Sequence, residues 1–406
     1  MLKRKKVNGS VNLVKSYCIV WLISGFLVGC GNPDKKTDSK ATGPFHPRII
    51  LKDQTAPEEF LKLISSFRVI PIEYSPDKII GQIDKVVPDR EDFLVLDYKS
   101  QSIKRISKAG KITGSFSHKG QAAGEYLILD DFVVHPVSHE IIVMDGLGRK
   151  IIFYDSSGSF QREFKLDFWG QNLAILSNDK IICFSDRRAG NYEPPFYHLN
   201  IVDLNGKILK RYLPYYSPWT FWIFLRSLVE NNDGIFLCKY FDYNLYRINQ
   251  QMDLDTVAVF DFGPYSMDTS GLARVTGKVK IAREKQSKGK LFLGMTFVFD
   301  DFCYLESFGG KGSYWGYGLY NQDFILHKRS EERYICFYNG WPVIEPMGEI
   351  GNELISWIEP VYLLDIWEKN PEEKEKAESH PEFKMIMDRM DIEGNPVLML
   401  FSLKRE

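Results

Sequence analysis

The stretch "FLVLDYKSQSIKRISKAGKITGSF", residues 93–116, has a second copy in "EIIVMDGLGRKIIFYDSSGSFQREF", residues 140–164. Aligning Asp97 with Asp145 also places Gly110 over Gly158, and the residue numbers within each pair differ by 48. Each copy reads as an apolar strand ending in Asp, a polar turn, a second strand, a glycine turn and a third strand. Alternating apolar and polar residues between short glycine turns predict antiparallel β-strands.

Looser copies of this unit follow along the chain. The third has its turn glycine at Gly206, again 48 residues on, and the fourth spans 234–260. We expect a fifth copy within 297–329 and a sixth within 333–358. Repeats of about 40–50 residues with four strands are typical of propeller blades, and closing the ring removes exposed sheet edges. The sequence therefore predicts an all-β, six-bladed β-propeller of four-stranded antiparallel blades over residues 61–406. A β-sandwich, the alternative, would not require the repeat.

The C-terminal region departs from the β pattern before returning to it. Residues 371–390, "PEEKEKAESHPEFKMIMDRM", are charged and helix-prone, with Pro371 suited to a first turn. They predict a short helical insertion, docked through Met385, Ile386 and Met390. The strand "NPVLMLFSLK" follows at 395–404, and we predict that it joins the same blade as the early strand "FRVIPIEYS" at 67–75.

The N-terminus resembles a bacterial lipoprotein signal. A basic segment precedes a short apolar run that ends in Leu27, Val28, Gly29 and Cys30. This ending resembles a lipobox, although Val28 departs from the usual small residue. The resemblance implies a signal peptide at 1–29 and a lipid on Cys30, and the polar residues that follow predict a flexible tether over 30–60. The protein would then be membrane-anchored without a spanning helix.

A corner between the first two copies carries a second resemblance. The segment "KGQAAGEYLILDDFVVHP", residues 119–136, is similar to a glycine-rich corner in six-bladed, NHL-like β-propeller lipoproteins of the Bacteroidota. The residues that fit are Gly120, Gly124, Glu125 and Tyr126, whereas Ala122 and Ala123 depart. The resemblance implies a lipoprotein of the cell envelope, held on the outer membrane at its periplasmic face or at the cell surface. It implies no general activity.

The same corner is not expected to be a phosphate loop or a catalytic site. A phosphate loop needs Gly-Lys-Ser/Thr at the start of a helix, and a strand-like segment follows here. Asp130 and Asp131 are adjacent, so in a strand they face opposite sides. We therefore interpret this corner motif as structural and leave the catalytic residues unknown.

Metal and nucleic-acid chemistry have little support in the sequence. The formal net charge of -1 gives no basic face for nucleic acid. His118, His135 and His139 lie in turn-like contexts, which predicts no metal site. The remaining cysteines sit in apolar runs without Cys-x-x-Cys spacing and are expected to be buried thiols, with a disulfide left open: Cys183, Cys238, Cys303 and Cys336. No cofactor is expected, apart from Ca²⁺ on the axis if the protein is an enzyme.

Aromatic residues give the best hint of a ligand. Tyr314, Trp315 and Tyr317 alternate with glycines in "GSYWGYGLY", residues 312–320. This spacing favours an exposed loop that stacks on a ligand, whereas filling between blades is the alternative. We expect a binding scaffold for a protein, peptide or glycan. The alternative is a lyase, lactonase or glycan hydrolase, which two or three polar side chains with perturbed pKa values at the axis would favour.

Overall fold

The structure is a computed structural model that describes residues 43–53, 58–185, 195–216, 228–231, 234–239, 242–268, 288–299, 302–309, 312–329, 336–389 and 394–404. Residues from Gly43 onward form one compact unit. The predicted signal peptide, Cys30 and the start of the predicted tether lie outside the described residues.

Twenty-seven strands and four α-helices are described, and most of the strands form six blades. The chain begins with β1 (Ile49–Lys52), α1 (Glu58–Leu61) and β2 (Ile64–Pro71). Blade 1 contains β3 (Ile83–Asp89), β4 (Asp92–Asp97), β5 (Ser102–Ser107) and β6 (Ile112–Phe116). Blade 2 contains β7 (Asp131–Val134), β8 (Ile141–Asp145), β9 (Lys150–Tyr154) and β10 (Phe160–Lys165). Blade 3 contains β11 (Asn172–Ser177), β12 (Lys180–Phe184), β13 (Phe196–Asp203) and β14 (Ile208–Tyr215).

The second half of the chain completes the ring. Blade 4 contains β15 (Leu228–Asn231), β16 (Gly234–Leu237), β17 (Asn244–Ile248) and β18 (Leu254–Val259). Blade 5 contains β19 (Leu291–Phe299), β20 (Phe302–Gly309), β21 (Gly312–Leu319) and β22 (Phe324–Lys328). A small hairpin follows, of β23 (Cys336–Tyr338) and β24 (Trp341–Val343). The last elements are β25 (Gly348–Ile350), β26 (Glu353–Ile358), α2 (Pro360–Lys369), α3 (Pro371–Glu378), α4 (Pro381–Arg389) and β27 (Val397–Leu403).

The predicted all-β, six-bladed propeller is confirmed, with β3, β7, β11, β15, β19 and β25 as the innermost strands. Hydrophobic clusters fill the spaces between neighbouring blades. The four cysteines expected to be buried thiols are buried and free. Of the described helices, none combines the length and the apolar character that a membrane span requires.

Blade 6 closes the ring by joining both ends of the chain. Its strand order is β2-β27-β26-β25, and β27 pairs antiparallel with β2 from Pro71↔Val397 to Ile64↔Leu403. All five side chains of 397–401 are at most 1% exposed. The predicted pairing of the C-terminal strand with the early strand is therefore confirmed.

Turn glycines explain the 48-residue register. Gly110, Gly158 and Gly206 have φ of 76°, 89° and 85°, the left-handed conformation that glycine adopts without a steric cost. Each N–H donates to the carbonyl three residues earlier. A Cβ on Gly158 would lie 2.7 Å from the ring of Phe116, so the turn has no room for a side chain.

The predicted tether extends too far along the chain. Phe45 bridges to Ala258 in blade 4, and β1 pairs in parallel with β22 as a fifth strand of blade 5. The Arg48 guanidinium forms an ion pair with Asp323. The prediction of a flexible tether through residue 60 is therefore wrong for residues 45–52. The free edge of β22 offers hydrogen-bond partners to residues 49–52, and residues 257–261 offer them to the residues before β1.

The predicted helical insertion is present and begins earlier than expected, at Pro360 instead of Pro371. The three helices bury Leu363, Trp367 and Ile386 against blade 6 and the β23–β24 hairpin. The Trp367 indole N–H donates to the Gly340 carbonyl at 2.9 Å, which fixes α2. Ile386 docks as predicted, whereas the side chain of Met385 and all of Met390 lie outside the described part of the chain.

Candidate functional site

Two carboxylates bracket the inner strand of blade 3. The inner edge of a propeller blade leaves backbone N–H groups without a strand partner, and such groups need another acceptor. The Leu173 N–H donates to Asp131 Oδ2 at 2.7 Å, and the Ile175 N–H donates to Glu230 Oε1 at 2.6 Å. Asp131 belongs to β7 of blade 2 and Glu230 to β15 of blade 4. Side chains from both neighbouring blades thus hold β11 in place.

A lysine from blade 1 extends this arrangement. The Lys85 ammonium lies 2.8 Å from Asp131 Oδ1, and Asp131 also accepts the Phe132 N–H at 2.8 Å. The Asp131 side chain is 5% exposed, so its charge depends on these partners. We call Lys85, Asp131 and Glu230 the axial network, because each comes from an innermost strand. It links four consecutive blades by charged hydrogen bonds.

Glu230 differs from the other two members because it is exposed by surface area. Protein atoms nevertheless lie close around its carboxyl group. Burial raises the pKa of the Glu230 carboxyl. The Ile175 N–H and the charge of Lys85 oppose this rise in pKa, whereas the charge of Asp131 adds to it. Glu230 therefore holds a proton at higher pH than an ordinary glutamate does.

The axial network presents an ammonium, a carboxylate and a readily protonated carboxyl on fixed strands. It can bind the polar groups of a ligand, and Glu230 can donate a proton. Among the residues that the structure describes, no three His, Cys, Asp or Glu side chains form a metal-binding group. Lys85 adds a positive charge to the axial network, and this charge would repel a cation bound beside Asp131.

The corner residues lie in a closed turn with internal hydrogen bonds. The Gly120 N–H donates to the Tyr126 carbonyl at 2.9 Å, and the Tyr126 hydroxyl donates to the Gln101 carbonyl at 2.6 Å. The Glu125 carboxylate accepts the Ala122 N–H at 2.9 Å. Gly124 has φ of 76°, and a Cβ there would meet the Phe160 ring. These contacts give all four motif residues a role within the fold.

The three aromatic residues do not lie on an exposed loop. They belong to β21, where Tyr314 and Trp315 are 2% and 1% exposed. Tyr317 is half-buried and stacks on Phe60 with ring centroids 3.9 Å apart. The prediction of an exposed stacking platform is therefore wrong. Gly316 was interpreted as a loop glycine, but it has a packing role. A Cβ at this position would lie 2.2 Å from the Ile325 carbonyl oxygen, so the glycine allows two strands to approach closely.

Sequence reasoning missed the axial network except for Asp131, which it considered and set aside. The two adjacent aspartates do face different partners: Asp130 accepts the Gly146 N–H at 2.8 Å, while Asp131 joins Lys85. The available signal was a charged residue within an inner strand, where apolar residues dominate. Lys85 and Glu230 lie outside the recognisable repeat copies, so the repeat gave no reason to consider them as site residues.

Comparisons with known proteins agree with a six-bladed propeller. The crystal structure of a "putative exported protein" from Bacteroides fragilis superimposes with a TM-score of 0.68 at 13% identity, covering 88% of this chain and 100% of that one. A member of the DUF4221 family from Bacteroides vulgatus superimposes with a TM-score of 0.51 at 10% identity, covering 84% and 97%. At these identities the likeness shows the fold alone.

The family is shown by sequence. Residues 51–402 match the domain of unknown function DUF4934, so the chain belongs to that family. No curated protein has a sequence that matches this chain.

Proposed function

We propose that this protein is a lipoprotein of the bacterial cell envelope whose propeller binds a protein, peptide or glycan at the axial network. Lipid on Cys30 would hold it on the outer membrane, at the periplasmic face or the cell surface. The lipobox-like ending and the NHL-like, Bacteroidota-type repeats support this location, and a structurally similar Bacteroides fragilis protein is named as exported.

The axial network is the observation that carries the binding function. Lys85, Asp131 and Glu230 are fixed by hydrogen bonds across four blades before any ligand arrives. A preorganised polar surface loses little conformational freedom on binding, which favours affinity. Asp131 is occupied by Lys85 and by two backbone amides, an arrangement that suits recognition better than nucleophilic attack.

Co-purification from the native envelope tests this function. The full chain is isolated in detergent, and bound molecules are released and quantified by mass spectrometry. Glu230→Gln keeps an oxygen acceptor for Ile175 but removes the ionisable group. Glu378→Gln, on the exposed face of α3, is the matched control. We expect a near-stoichiometric molecule that Glu230→Gln loses and Glu378→Gln retains; equal recovery from all three proteins would reject the axial site.

A lyase, lactonase or glycan hydrolase is the second candidate, and the raised pKa of Glu230 favours it. A carboxyl group whose pKa is raised holds its proton more readily than an ordinary glutamate, which suits a general acid. If the protein is such an enzyme, the recovered molecule is converted by wild type, and Glu230→Gln binds it without conversion. A pure binding protein returns it unchanged in both cases.

A further inference from the structure

The rim of blade 5 carries an exposed apolar patch on its two outermost strands. Ile50 on β1 stands in register with Ile325 on β22, and the two residues are 39% and 44% exposed. Because residues in register share one face of a sheet, the two isoleucines lie side by side. The neighbours of Ile325 in β22 point the other way, into the core, where Phe324 and Leu326 are at most 1% exposed.

Charged residues border the two isoleucines at both ends. The Arg48 guanidinium pairs with Asp323 before them, and the exposed Lys52 stands in register with His327 after them. We call Ile50 and Ile325, with these four neighbours, the blade 5 patch. An apolar centre with charged ends suits the interface of a bilayer, where aliphatic groups enter and charged groups stay at the level of the headgroups.

The other blades present a different rim. Most exposed residues on their outermost strands are polar, and these are Ser65, Ser66, Thr113, Ser115, Gln161, Lys165, Arg211 and Asp255. Phe160 on β10 is an exposed aromatic residue, but its ring covers the turn at Gly124. A polar rim is the usual protection of a sheet edge, so a pair of exposed isoleucines on the edge of blade 5 indicates a surface that meets an apolar partner.

The chain joins the propeller beside this patch. The Phe45 N–H donates to the Val257 carbonyl at 2.9 Å, and the Val259 N–H donates to the Phe45 carbonyl at 2.8 Å. The Ile49 N–H donates to the Asp261 carbonyl at 2.8 Å. These bonds hold the start of the described chain at the seam between the outer strands of blades 4 and 5. Phe45 is 41% exposed and adds a third apolar side chain to this part of the rim.

The length of chain between Cys30 and the propeller limits which rim can meet the membrane. Gly43 follows Cys30 by 13 residues. A fully extended chain spans at most about 3.6 Å per residue, so the two residues lie within about 45 Å of each other. A domain of about 360 residues has a radius of gyration of about 21 Å and is therefore about 50 Å across. The rim at blade 2, on the far side of the ring, lies beyond that reach, whereas the rim at blades 4 and 5 lies within it.

We propose that the blade 5 patch docks on the surface of a phospholipid bilayer, with Ile50 and Ile325 entering the headgroup region. This orientation rests on the lipid anchor proposed above. The propeller then stands on its rim, with its axis along the plane of the membrane. Both faces of the ring stay in water, so a ligand reaches the axial network without passing the bilayer.

Spin labels on the lipid-anchored full chain test the orientation in vesicles of phosphatidylethanolamine and phosphatidylglycerol. Asp53→Cys places a label just after β1, and Gln161→Cys places the control label on the outermost strand of blade 2. The cysteines that the structure describes are buried, so the new thiol is the one that reacts. By electron paramagnetic resonance, we expect the label at position 53 to be open to oxygen but shielded from a water-soluble nickel chelate. The label at position 161 should be open to the chelate.

Replacing both isoleucines measures what the patch contributes. Burying about half of their exposed area in lipid favours the docked state about tenfold. Ile50→Ser with Ile325→Ser should therefore lower the ratio of shielded to open label at position 53 about tenfold. Thr113→Ala with Ser115→Ala, on the rim of blade 1, is the matched control and should leave that ratio unchanged. Circular dichroism of each variant confirms that the fold is intact.

The outcomes distinguish this proposal from the one on which it rests. A wild-type chain that does not float with the vesicles rejects the lipid anchor, and the orientation with it. A chain that floats while position 53 is as open to the chelate as position 161 rejects the orientation alone. Magnetic broadening between labels at position 53 of neighbouring molecules, independent of lipid, would assign the patch to a second copy of the chain and would also overturn the proposal.

Discussion

Replacing Phe401 with alanine tests whether the two chain ends lock the ring. Phe401 is fully buried in β27, between its partners Phe67 on β2 and Leu354 on β26. Its ring also meets Phe60 edge-on, with centroids 6.2 Å apart. A buried Phe→Ala change costs about 3–5 kcal/mol through lost transfer energy and a residual cavity. Whole proteins are stable by only about 5–15 kcal/mol, so the loss should be large.

Urea unfolding followed by tryptophan fluorescence measures this loss. Phe401→Ala should lower the free energy of unfolding by about 3–5 kcal/mol. The neighbouring Ser402→Ala is the control: it is half-buried, its side chain has no hydrogen bond in the described structure, and its effect should stay within about 0.5 kcal/mol. A Phe401→Ala protein within 1 kcal/mol of wild type would refute the closure of blade 6 by its terminal strands.

Four further expectations follow from particular residues. Gly158→Ala should destabilise the protein by about 1–3 kcal/mol, whereas Gly114→Ala, where the nearest atom is 3.8 Å from the added carbon, should not; equal melting of both would contradict the turn geometry. Because the folded-state pKa of Glu230 is raised, its favourable contribution is present below the unfolded pKa of about 4.3 and is lost as pH rises through the folded pKa. Glu230→Gln should therefore gain stability relative to wild type between pH 4 and pH 8, and parallel denaturation curves at both pH values would refute the shift. Cys30→Ala should move the protein from the membrane fraction to the soluble fraction, and unchanged sedimentation would reject the lipid anchor. Millimolar Ca²⁺ should leave the melting temperature unchanged because Lys85 opposes a cation at the axis, while a clear rise would favour a calcium-dependent enzyme.

The repeat made the blades predictable because it combines local signals that act within a few residues. The alternation of apolar and polar residues predicts the strands. The turns at Gly110, Gly158 and Gly206 have positive φ, a conformation that glycine adopts with less strain than other residues. The pairing of β27 with β2 was predictable for a different reason: a propeller must close, and only the two chain ends remained.

Features that depend on distant contacts were not predictable. Residues 49–52 look like part of a polar tether, but they form a strand because the free edge of β22, which is about 275 positions away in the chain, pairs with them. The contacts among Lys85, Asp131 and Glu230 could not be predicted, because these residues lie in different blades that come together only when the ring closes. The glycines of β21 have the composition of a loop, but Gly316 is needed for close packing of strands.

Hydrogen exchange of the full chain, with and without the molecule recovered from the envelope, tests the axial site most directly. The account predicts that the ligand slows exchange in peptides from the inner strands 83–89, 131–134, 172–177 and 228–231. The outer strand at 49–52 should exchange at the same rate in both states. Protection confined to the outer strands, or no change in any inner strand, would contradict binding at the axial network.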